Sequence, residues 1–173
     1  MYLLILIVLM SAPPKNDTNS RKNRPGRIVK KAEKIVTLFN LHTLEMIPLQ
    51  NPSPRLLAWF FRCRKTMIPA SVFDTKILKH LSNIVRKFSA QRVNIFSAYR
   101  SPRYNEELRK KLHEVARRSY HLKGQALDFN LEGVDTAALA RYLRRIHHGG
   151  VGYYPHSTFI HMDTGPRRRW RGL

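Results

Sequence analysis

Cysteine is almost absent from the 173-residue sequence, which contains Cys63 alone. One thiol cannot form an intramolecular disulfide, and it cannot build a zinc site from several thiolates. Cysteine usage therefore gives no information about the compartment in which the protein works. Cys63 is most simply a small, partly buried thiol with no chemical task.

Acidic residues are scarce as well. Asp and Glu number 11 against 32 Lys and Arg, so the net charge at pH 7 is +21. A surface of this kind raises the local concentration of anions and speeds encounter with them. The charge does not identify the anion, because nucleic acid, anionic lipid and cell-wall polymer all qualify. A basic surface that is merely solvated would give the same composition.

The sequence also lacks a long hydrophobic run. The unbroken apolar run over residues 2–10 is far shorter than the roughly 20 residues that cross a bilayer, so we expect no transmembrane span. It has the length of a signal-peptide core, and the small residues Ser11 and Ala12 follow it. No Lys or Arg precedes the run, so the signal is atypical, and a misplaced start codon would explain this. We predict a periplasmic or secreted protein.

Composition divides the chain into three segments. Residues 1–12 hold the possible signal-peptide core, and residues 13–34 are polar and basic, as in a flexible linker. Residues 35–173 have the size of one domain. Hydrophobic residues make up 43% of the sequence, which is enough for a core. Helical and strand-like patterns both occur, so a single α+β domain is predicted.

Local patterns predict the elements of this domain. Two β-forming runs, 35–41 and 45–49, are separated by a short polar break, which indicates a hairpin. Behind the capping residue Asp74, apolar side chains recur at helical spacing. The other predictions are a short helix over 56–61, a helix opened by Ser101 and Pro102 with Tyr104, Leu108, Leu112 and Val115 on its buried stripe, a helix capped by Asp135, strands over 93–97, 125–131, 151–154 and 159–163, and a surface tail from Arg167.

Two histidines and one aspartate are candidate metal ligands. A catalytic zinc ion takes three protein ligands of nitrogen or oxygen type and keeps one position open for water. His121 and Asp128 are separated by a turn that contains Gly124, and Asp128 lies in an apolar strand, where an unpaired carboxylate is costly to bury. His161 lies in another apolar strand. Spacing alone leaves two interpretations open, because a histidine or aspartate in a strand is more often a hydrogen-bonded residue than a ligand.

Three longer segments carry a resemblance to a known family. They are 97–101, with the sequence SAYRS; 119–128, with SYHLKGQALD; and 149–163, which runs from GGVGYYP to FIHMD. The pattern Ser-x-His-x-x-Gly-x-Ala-x-Asp followed by a strand histidine resembles the superfamily of D-alanyl-D-alanine carboxypeptidases, which shares its fold with the Hedgehog signalling domain. Within that superfamily the chain is similar to the YcbK-like murein endopeptidases, from residue 35 to about residue 170.

The resemblance implies a zinc metallopeptidase that hydrolyses peptide cross-links of peptidoglycan during cell-wall remodelling, with stem peptides as its substrate. It also implies a single α+β domain in which a small, mostly antiparallel sheet carries the zinc site and helices pack around it. By the same resemblance, His121, Asp128 and His161 bind one zinc ion per chain.

Arg100 matches an arginine that lies near the site in this superfamily and can bind a substrate carboxylate. A guanidinium group suits that task because it grips carboxylates in a bidentate fork. We therefore predict a catalytic and substrate-binding role for Arg100, and we expect Ser119 and Tyr154 to contact substrate as well. The alternative is that Arg100 is one more surface arginine among many.

The general base is where the chain departs from the superfamily. Other branches place a carboxylate three residues before the last histidine, and many place a histidine two residues before it, whereas this chain has Thr158 and Phe159 there. Asp163 is the better candidate, because residues two apart in a strand face the same side and Asp163 would point toward the metal with His161. Its alternative role is to orient that ligand. His156 is a weaker candidate for the base.

Two other functions stay open. A zinc-containing wall-binding module without activity would also lack the superfamily carboxylate. A basic nucleic-acid-binding protein would explain the net charge of +21, although the sequence contains no recognisable helix-turn-helix, zinc-finger or RNA-binding sheet motif. We therefore expect no specific nucleic-acid partner, only weak, salt-dependent binding that follows from charge.

Overall fold

The computed structural model describes residues 35–112 and 115–173. The predicted signal-peptide core (1–12) and linker (13–34) lie outside the described residues. No helix in the described part of the chain is long and apolar enough to cross a membrane. In chain order the elements are β1 (Thr37–Asn40), β2 (Met46–Pro48), α1 (Pro54–Phe60), α2 (Lys76–Phe88), β3 (Arg92–Ser97), α3 (Pro102–Lys111), a 3-10 helix (Tyr120–Lys123), β4 (Ala126–Leu131), α4 (Thr136–Ile146), β5 (Gly150–Tyr154), β6 (Phe159–Asp163) and β7 (Arg168–Arg171).

The strands form one sheet in the order β2-β1-β3-β4-β6-β5-β7. The pairs β1/β3 and β5/β7 are parallel, and the remaining neighbours are antiparallel. The α+β class is confirmed, but the prediction of a small, mostly antiparallel sheet is wrong, because the sheet has seven strands and is mixed. One physical reason is that α1 and α2 lie between β1 and β3 in the chain, and such a crossover allows parallel pairing.

The C-terminal segment is also part of the sheet. The sequence predicted a surface tail from Arg167, yet Arg168–Arg171 pair with β5 as an edge strand. Trp170 lies directly over Gly152, where an added Cβ would come within 2.4 Å of the indole ring. The indole therefore packs on a strand position that only glycine can fill, and this contact holds an arginine-rich segment against the sheet.

Alternation along the central strands separates a core face from a polar face. Leu127 and Phe129 of β4 and Ile160 and Met162 of β6 are fully buried in the hydrophobic core. Because successive side chains in a strand point to opposite faces, the residues between them project from the other side of the sheet. That side carries the polar residues of both strands.

Helix α2 packs four buried side chains into this core: Ile77, Leu81, Ile84 and Val85. Its N-cap is Thr75 and not the predicted Asp74, although the Asp74 carboxylate accepts a hydrogen bond from the Lys76 amide at 3.0 Å. The predicted cap of α4 is confirmed, since the Asp135 carboxylate accepts from the amides of Ala137 and Ala138. Capping of this kind satisfies amides that have no partner within the helix.

Helix α3 differs most from its prediction. Ser101 caps it as predicted and Tyr104 is buried, but the helix ends at Lys111. Leu112 and Val115 therefore lie beyond the helix, and Leu112 is 53% exposed. The predicted buried stripe lines a cleft instead of the core, together with Leu108.

Candidate metal centre and cleft

His121 is held by a short turn of 3-10 helix. The Ser119 hydroxyl accepts a hydrogen bond from the His121 amide at 3.3 Å and opens the turn. Gly124 closes it with φ of 63°, and a Cβ at this position would lie 1.9 Å from the Val72 carbonyl oxygen. Glycine avoids both the strained conformation and the clash. The turn thus fixes His121, which is 1% exposed, at the start of β4.

Asp128 and His161 face each other across two strands. Asp128 in β4 is paired in register with His161 in β6, and both belong to the face opposite the core. Directly opposed residues of an antiparallel pair have neighbouring side chains. Two functional groups that are 33 positions apart in sequence are therefore brought together by a single register.

The polar atoms of the three side chains converge. The carboxylate oxygen Oδ1 of Asp128 lies 3.1 Å from Nε2 of His121 and 2.8 Å from Nδ1 of His161. The two ring nitrogens are 3.2 Å apart. All three candidate ligand atoms lie within 4.8 Å of one another. Two imidazole nitrogens and one carboxylate oxygen are the donor set of a catalytic zinc site, so the residues fit this ion.

The outer nitrogen of each histidine already has a partner. Nδ1 of His121 donates to the Ala98 carbonyl oxygen, and Nε2 of His161 donates to Oδ2 of Asp163 at 3.0 Å. These contacts hold each ring so that its inner nitrogen is directed into the cluster. Metal-ligating histidines are generally oriented by such outer hydrogen bonds.

Electrostatics favours a negative carboxylate at the centre of the cluster. Burial alone would raise the pKa of Asp128, but the charges of His121 and Arg100 outweigh burial and hold this pKa well below its usual range. Burial, together with the Arg100 charge, lowers the pKa of His121 to about 4. Both groups are therefore in the protonation state that a metal requires at neutral pH.

His161 behaves differently. Burial opposes the charged ring, but hydrogen bonds to Asp128 and Asp163 outweigh it and raise the pKa of His161 above its ordinary value. Its two ring nitrogens each face a carboxylate, Nδ1 that of Asp128 and Nε2 that of Asp163. A metal binds the neutral imidazole, so zinc would compete with protons for this ring.

Arg100 contacts a candidate ligand directly. Its Nη2 group donates to Oδ2 of Asp128 at 2.6 Å, and its Nε donates to the Ser97 hydroxyl at 3.0 Å. A register shift in β3 between Ile95 and Ser97 lies beside this contact, and bulges of this kind often re-aim side chains next to functional sites. Arg100 lines the cleft, but its guanidinium is already paired with a carboxylate of the protein.

Asp163 is fully buried, with 0% exposure. Its Oδ1 accepts from the amides of Gly150 and Gly165 at 3.1 and 2.9 Å, and its Oδ2 accepts from His161 and from Arg168, the latter at 2.6 Å. Burial opposes ionisation, but the contacts with His161 and the amides outweigh it and lower the pKa of Asp163 to about 2. The Asp163 carboxylate is therefore an anion behind His161, and each of its oxygens already accepts two hydrogen bonds.

The other predicted residues also line the cleft. Tyr154 stacks on Phe159, with ring centroids 4.5 Å apart, and its hydroxyl accepts a hydrogen bond from Trp170 at 3.0 Å. Ser119 and His156 complete the set. Thr158 lies in the turn between β5 and β6 with φ of 53°, and its carbonyl oxygen accepts a hydrogen bond from Asn130.

The cleft around the metal cluster has a volume of about 920 Å³, enough for a peptide. Sequence reasoning missed several of its residues, chiefly Arg64, Arg168 and Trp170. Arg168 packs over the rings of Tyr120 and Trp170 while it pairs with Asp163. Arg168 and Trp170 are two residues apart, as side chains on one face of a strand are. This spacing is the one sequence signal that could have placed both residues in the cleft.

Known proteins are similar to this chain over a region that includes the three candidate ligands. The model of a family described as peptidoglycan L,D-endopeptidase MepK matches residues 55–170. The chain is 37% identical to the peptidoglycan L,D-endopeptidase MepK of Escherichia coli strain K12 over 147 residues, which cover 79% of this chain and 80% of that protein. It is 43% identical over 81 residues to the probable peptidoglycan L,D-endopeptidase MepK of Haemophilus influenzae, which covers 47% of this chain and 44% of the relative. No solved structure matches the chain significantly.

Proposed function

Since the chain belongs to the family described as peptidoglycan L,D-endopeptidase MepK, we propose that it is a zinc-dependent murein endopeptidase that hydrolyses peptide cross-links of peptidoglycan. The observation that carries the proposal is the convergence of His121, Asp128 and His161 on one point within a cleft of about 920 Å³. A cleft of this size has room for the peptide on either side of a scissile bond.

A zinc ion held by His121, Asp128 and His161 would activate a water near neutral pH and polarise the scissile carbonyl. The protein's own contribution is to hold those ligands rigidly. Ala98 anchors the ring of His121, and Asp163 anchors the ring of His161. Such support fixes the orientation of both ligand rings before substrate arrives.

Asp163 is better suited to orient His161 than to accept a proton. Both of its oxygens already accept hydrogen bonds, and its pKa is lowered to about 2. A general base works best when its pKa lies near the operating pH. We therefore assign Asp163 the orienting role that the sequence left open. His156, exposed in the loop between β5 and β6 and lining the cleft, takes the role of proton acceptor in this scheme.

Arg100 has two tasks in the proposed mechanism. Its contact with Oδ2 of Asp128 keeps that carboxylate ionised and directs Oδ1 toward the histidines. Its position in the cleft also brings positive charge close to the place where an oxyanion develops during amide hydrolysis, and charge placed there lowers the barrier.

The proposed substrate sets the location. Peptidoglycan stem peptides lie outside the cytoplasmic membrane, so the enzyme would work in the periplasm or be secreted, with residues 1–12 as export signal and 13–34 as linker to a peptidase domain over 35–173. Cell fractionation checks this part of the proposal. Recovery of the protein only from the cytosol, with Met1 intact, would contradict it.

The test of activity uses defined cross-linked muropeptides. The protein is stripped of metal, reloaded with one equivalent of zinc and incubated with substrate, and the products are identified by mass spectrometry. We expect cleavage of the cross-link in the zinc-loaded sample and none in the presence of chelator. Tight zinc binding without cleavage of any cross-linked muropeptide would favour an inactive wall-binding module instead.

A further inference from the structure

Besides Arg100 and Arg168, two further arginines, Arg64 and Arg118, line the cleft, and within the described residues Arg64 is the one held by side-chain contacts. Arg64 follows α1 in the chain and lines the cleft beside Phe96. Its Nε donates a hydrogen bond to the Tyr104 hydroxyl at 2.5 Å. The guanidinium also lies against the Tyr104 ring, with Cζ 5.4 Å from the centroid. Tyr104 therefore holds the side chain in place by two contacts with α3.

His42 supports the same guanidinium from the other side. Nη1 of Arg64 lies against Nε2 of His42 and 3.3 Å from its Nδ1, and Nε2 also lies 2.8 Å from the Phe96 carbonyl oxygen. Burial, and after it the Arg64 charge, lowers the pKa of His42, which keeps this ring neutral. Both partners of Arg64 are thus neutral, and neither cancels its positive charge.

The other arginines at the metal centre are neutralised. Arg100 pairs with Asp128 and Arg168 pairs with Asp163. In contrast, no carboxylate within residues 35–112 and 115–173 lies within ion-pair distance of Arg64. Among the same residues its Nη2 group has no hydrogen-bond partner. Arg64 therefore presents a positioned, uncompensated charge to the cleft.

Among the described residues that line the cleft, the exposed charged side chains are basic. The side-chain carboxylates in this described lining, Asp128 and Asp163, belong to residues that are 4% and 0% exposed, so an incoming molecule does not meet them as free anions. Lys111 lines the cleft on the same helix as Tyr104, seven residues further on, which is about 10 Å along the helix axis. That distance equals about three residues of an extended peptide. The wall formed by α3 therefore fits an extended peptide that carries negative charge.

We propose that Arg64 is a specificity-determining residue that binds a free carboxylate of the substrate peptide. The enzyme would then prefer stem peptides whose carboxylates are free over the same peptides with carboxamides in their place. This inference rests on the proposed function, because it takes the occupant of the cleft to be a stem peptide. It also moves the main carboxylate-binding role from Arg100, which the resemblance implied, to an arginine that is held by neutral partners and has no acidic partner among the described residues.

The test measures equilibrium binding to a cross-linked stem-peptide dimer in which the scissile amide is replaced by a non-hydrolysable methyleneamine. The probe is made in two forms, one with free carboxylates and one with carboxamides. Arg64→Gln is compared with Lys65→Gln in the zinc-loaded protein. Both substitutions remove one charge from adjacent exposed residues, but Lys65 does not line the cleft.

We expect Arg64→Gln to weaken binding of the free-acid form about tenfold, as for loss of a charge-assisted hydrogen bond, and to leave binding of the carboxamide form within about twofold. Lys65→Gln should change neither. With a hydrolysable substrate, Arg64→Gln should raise KM while kcat stays close to the wild-type value.

Three results would overturn the assignment. They are wild-type protein that binds both forms equally, Arg64→Gln protein that loses affinity for both forms equally, and a Lys65→Gln loss equal to that of Arg64→Gln. The last result would show that overall charge attracts the peptide. Because affinity is read without hydrolysis, a wild-type protein that binds the probe but cuts nothing contradicts the proposed function and leaves the assignment of Arg64 to be decided by these affinities.

Discussion

The two sides of the cleft are built on different principles. On the sheet side, the candidate ligands are buried and every outer atom has a partner, from Ala98 behind His121 to Asp163 behind His161. On the α3 side, the charged residues Arg64 and Lys111 are exposed, and Arg64 has no acidic partner among the described residues. The two sides therefore suit two tasks. Buried ligands that are held in place by hydrogen bonds suit catalysis, and exposed basic side chains without acidic partners suit substrate binding.

The largest expected effect follows from removing a ligand on the sheet side. His161→Ala leaves two of three zinc ligands, so we expect activity to fall below detection and zinc content to fall well below one equivalent per chain. His148→Ala is the matched control, because this exposed histidine does not line the cleft. Activity on muropeptides and metal analysis would be measured together. Full activity of His161→Ala would remove the basis of the site.

The next effect distinguishes the two roles of Asp163. If its carboxylate orients His161, Asp163→Asn should weaken zinc binding roughly 10- to 100-fold, and activity should return at saturating zinc. Asp135→Asn serves as control, because asparagine also caps helices well. Zinc titration at several enzyme concentrations gives the affinity. A mutant that binds zinc normally but has lost about 100-fold in activity would restore Asp163 as general base and exclude His156 as the proton acceptor.

A smaller effect on zinc affinity is expected for Arg168, which contacts Asp163 and not a candidate ligand. Arg168 donates to the buried Asp163, but the side chain of Arg168 is itself 46% exposed, so solvent screens part of its charge. Arg168→Gln should therefore lower zinc affinity only a few-fold, and less than Asp163→Asn does. Arg167→Gln removes the same charge from the neighbouring exposed residue. If the two substitutions had equal effects, the contact with Asp163 would carry no function.

The smallest effect on catalysis is expected away from the cleft. Arg62 is buried and donates to both oxygens of Glu45, at 2.7 and 3.1 Å. The hydrogen bond from Arg62 is the main reason that the pKa of Glu45 lies below its usual value. A lowered folded-state pKa means that the pair stabilises the protein above the unfolded-state pKa of about 4.3 and that this stabilisation is lost as pH falls through the folded-state value.

Glu45→Gln should therefore lower the free energy of unfolding at pH 7 by about 1–3 kcal/mol, with zinc content and activity of the folded protein unchanged. The difference from wild type should shrink as the pH is lowered below about 4. Urea unfolding at several pH values measures both. A difference that does not depend on pH would show that the ion pair is not its source.

Features that depend on local sequence could be predicted. His121, Asp128 and His161 became candidate ligands because each lies in a short, distinctive local pattern. The predicted strands 125–131 and 159–163 also match β4 and β6 closely. Local periodicity and local motifs are the information that a single sequence carries most directly.

Strand register and contacts between distant segments could not be predicted from these local patterns. The pairing of Asp128 with His161, the parallel addition of β7 and the contact between Arg64 and Tyr104, 40 positions apart, depend on how distant segments meet. The same holds for α3, where Leu108 follows helical spacing but lines a cleft. Periodicity shows that one face of a helix is apolar, but it does not show whether that face packs in the core or lines a cleft.

The most direct test of the central claim is a zinc titration of metal-free protein by native mass spectrometry and calorimetry. We predict one equivalent of zinc per chain in the wild type, with an affinity that falls as the pH is lowered, because zinc and protons compete for the ligand nitrogens. The same titration of His121→Ala should show loss of this tight site. Binding of one equivalent with unchanged affinity in His121→Ala, or no zinc binding by the wild type, would contradict the assignment of His121, Asp128 and His161 as the metal centre.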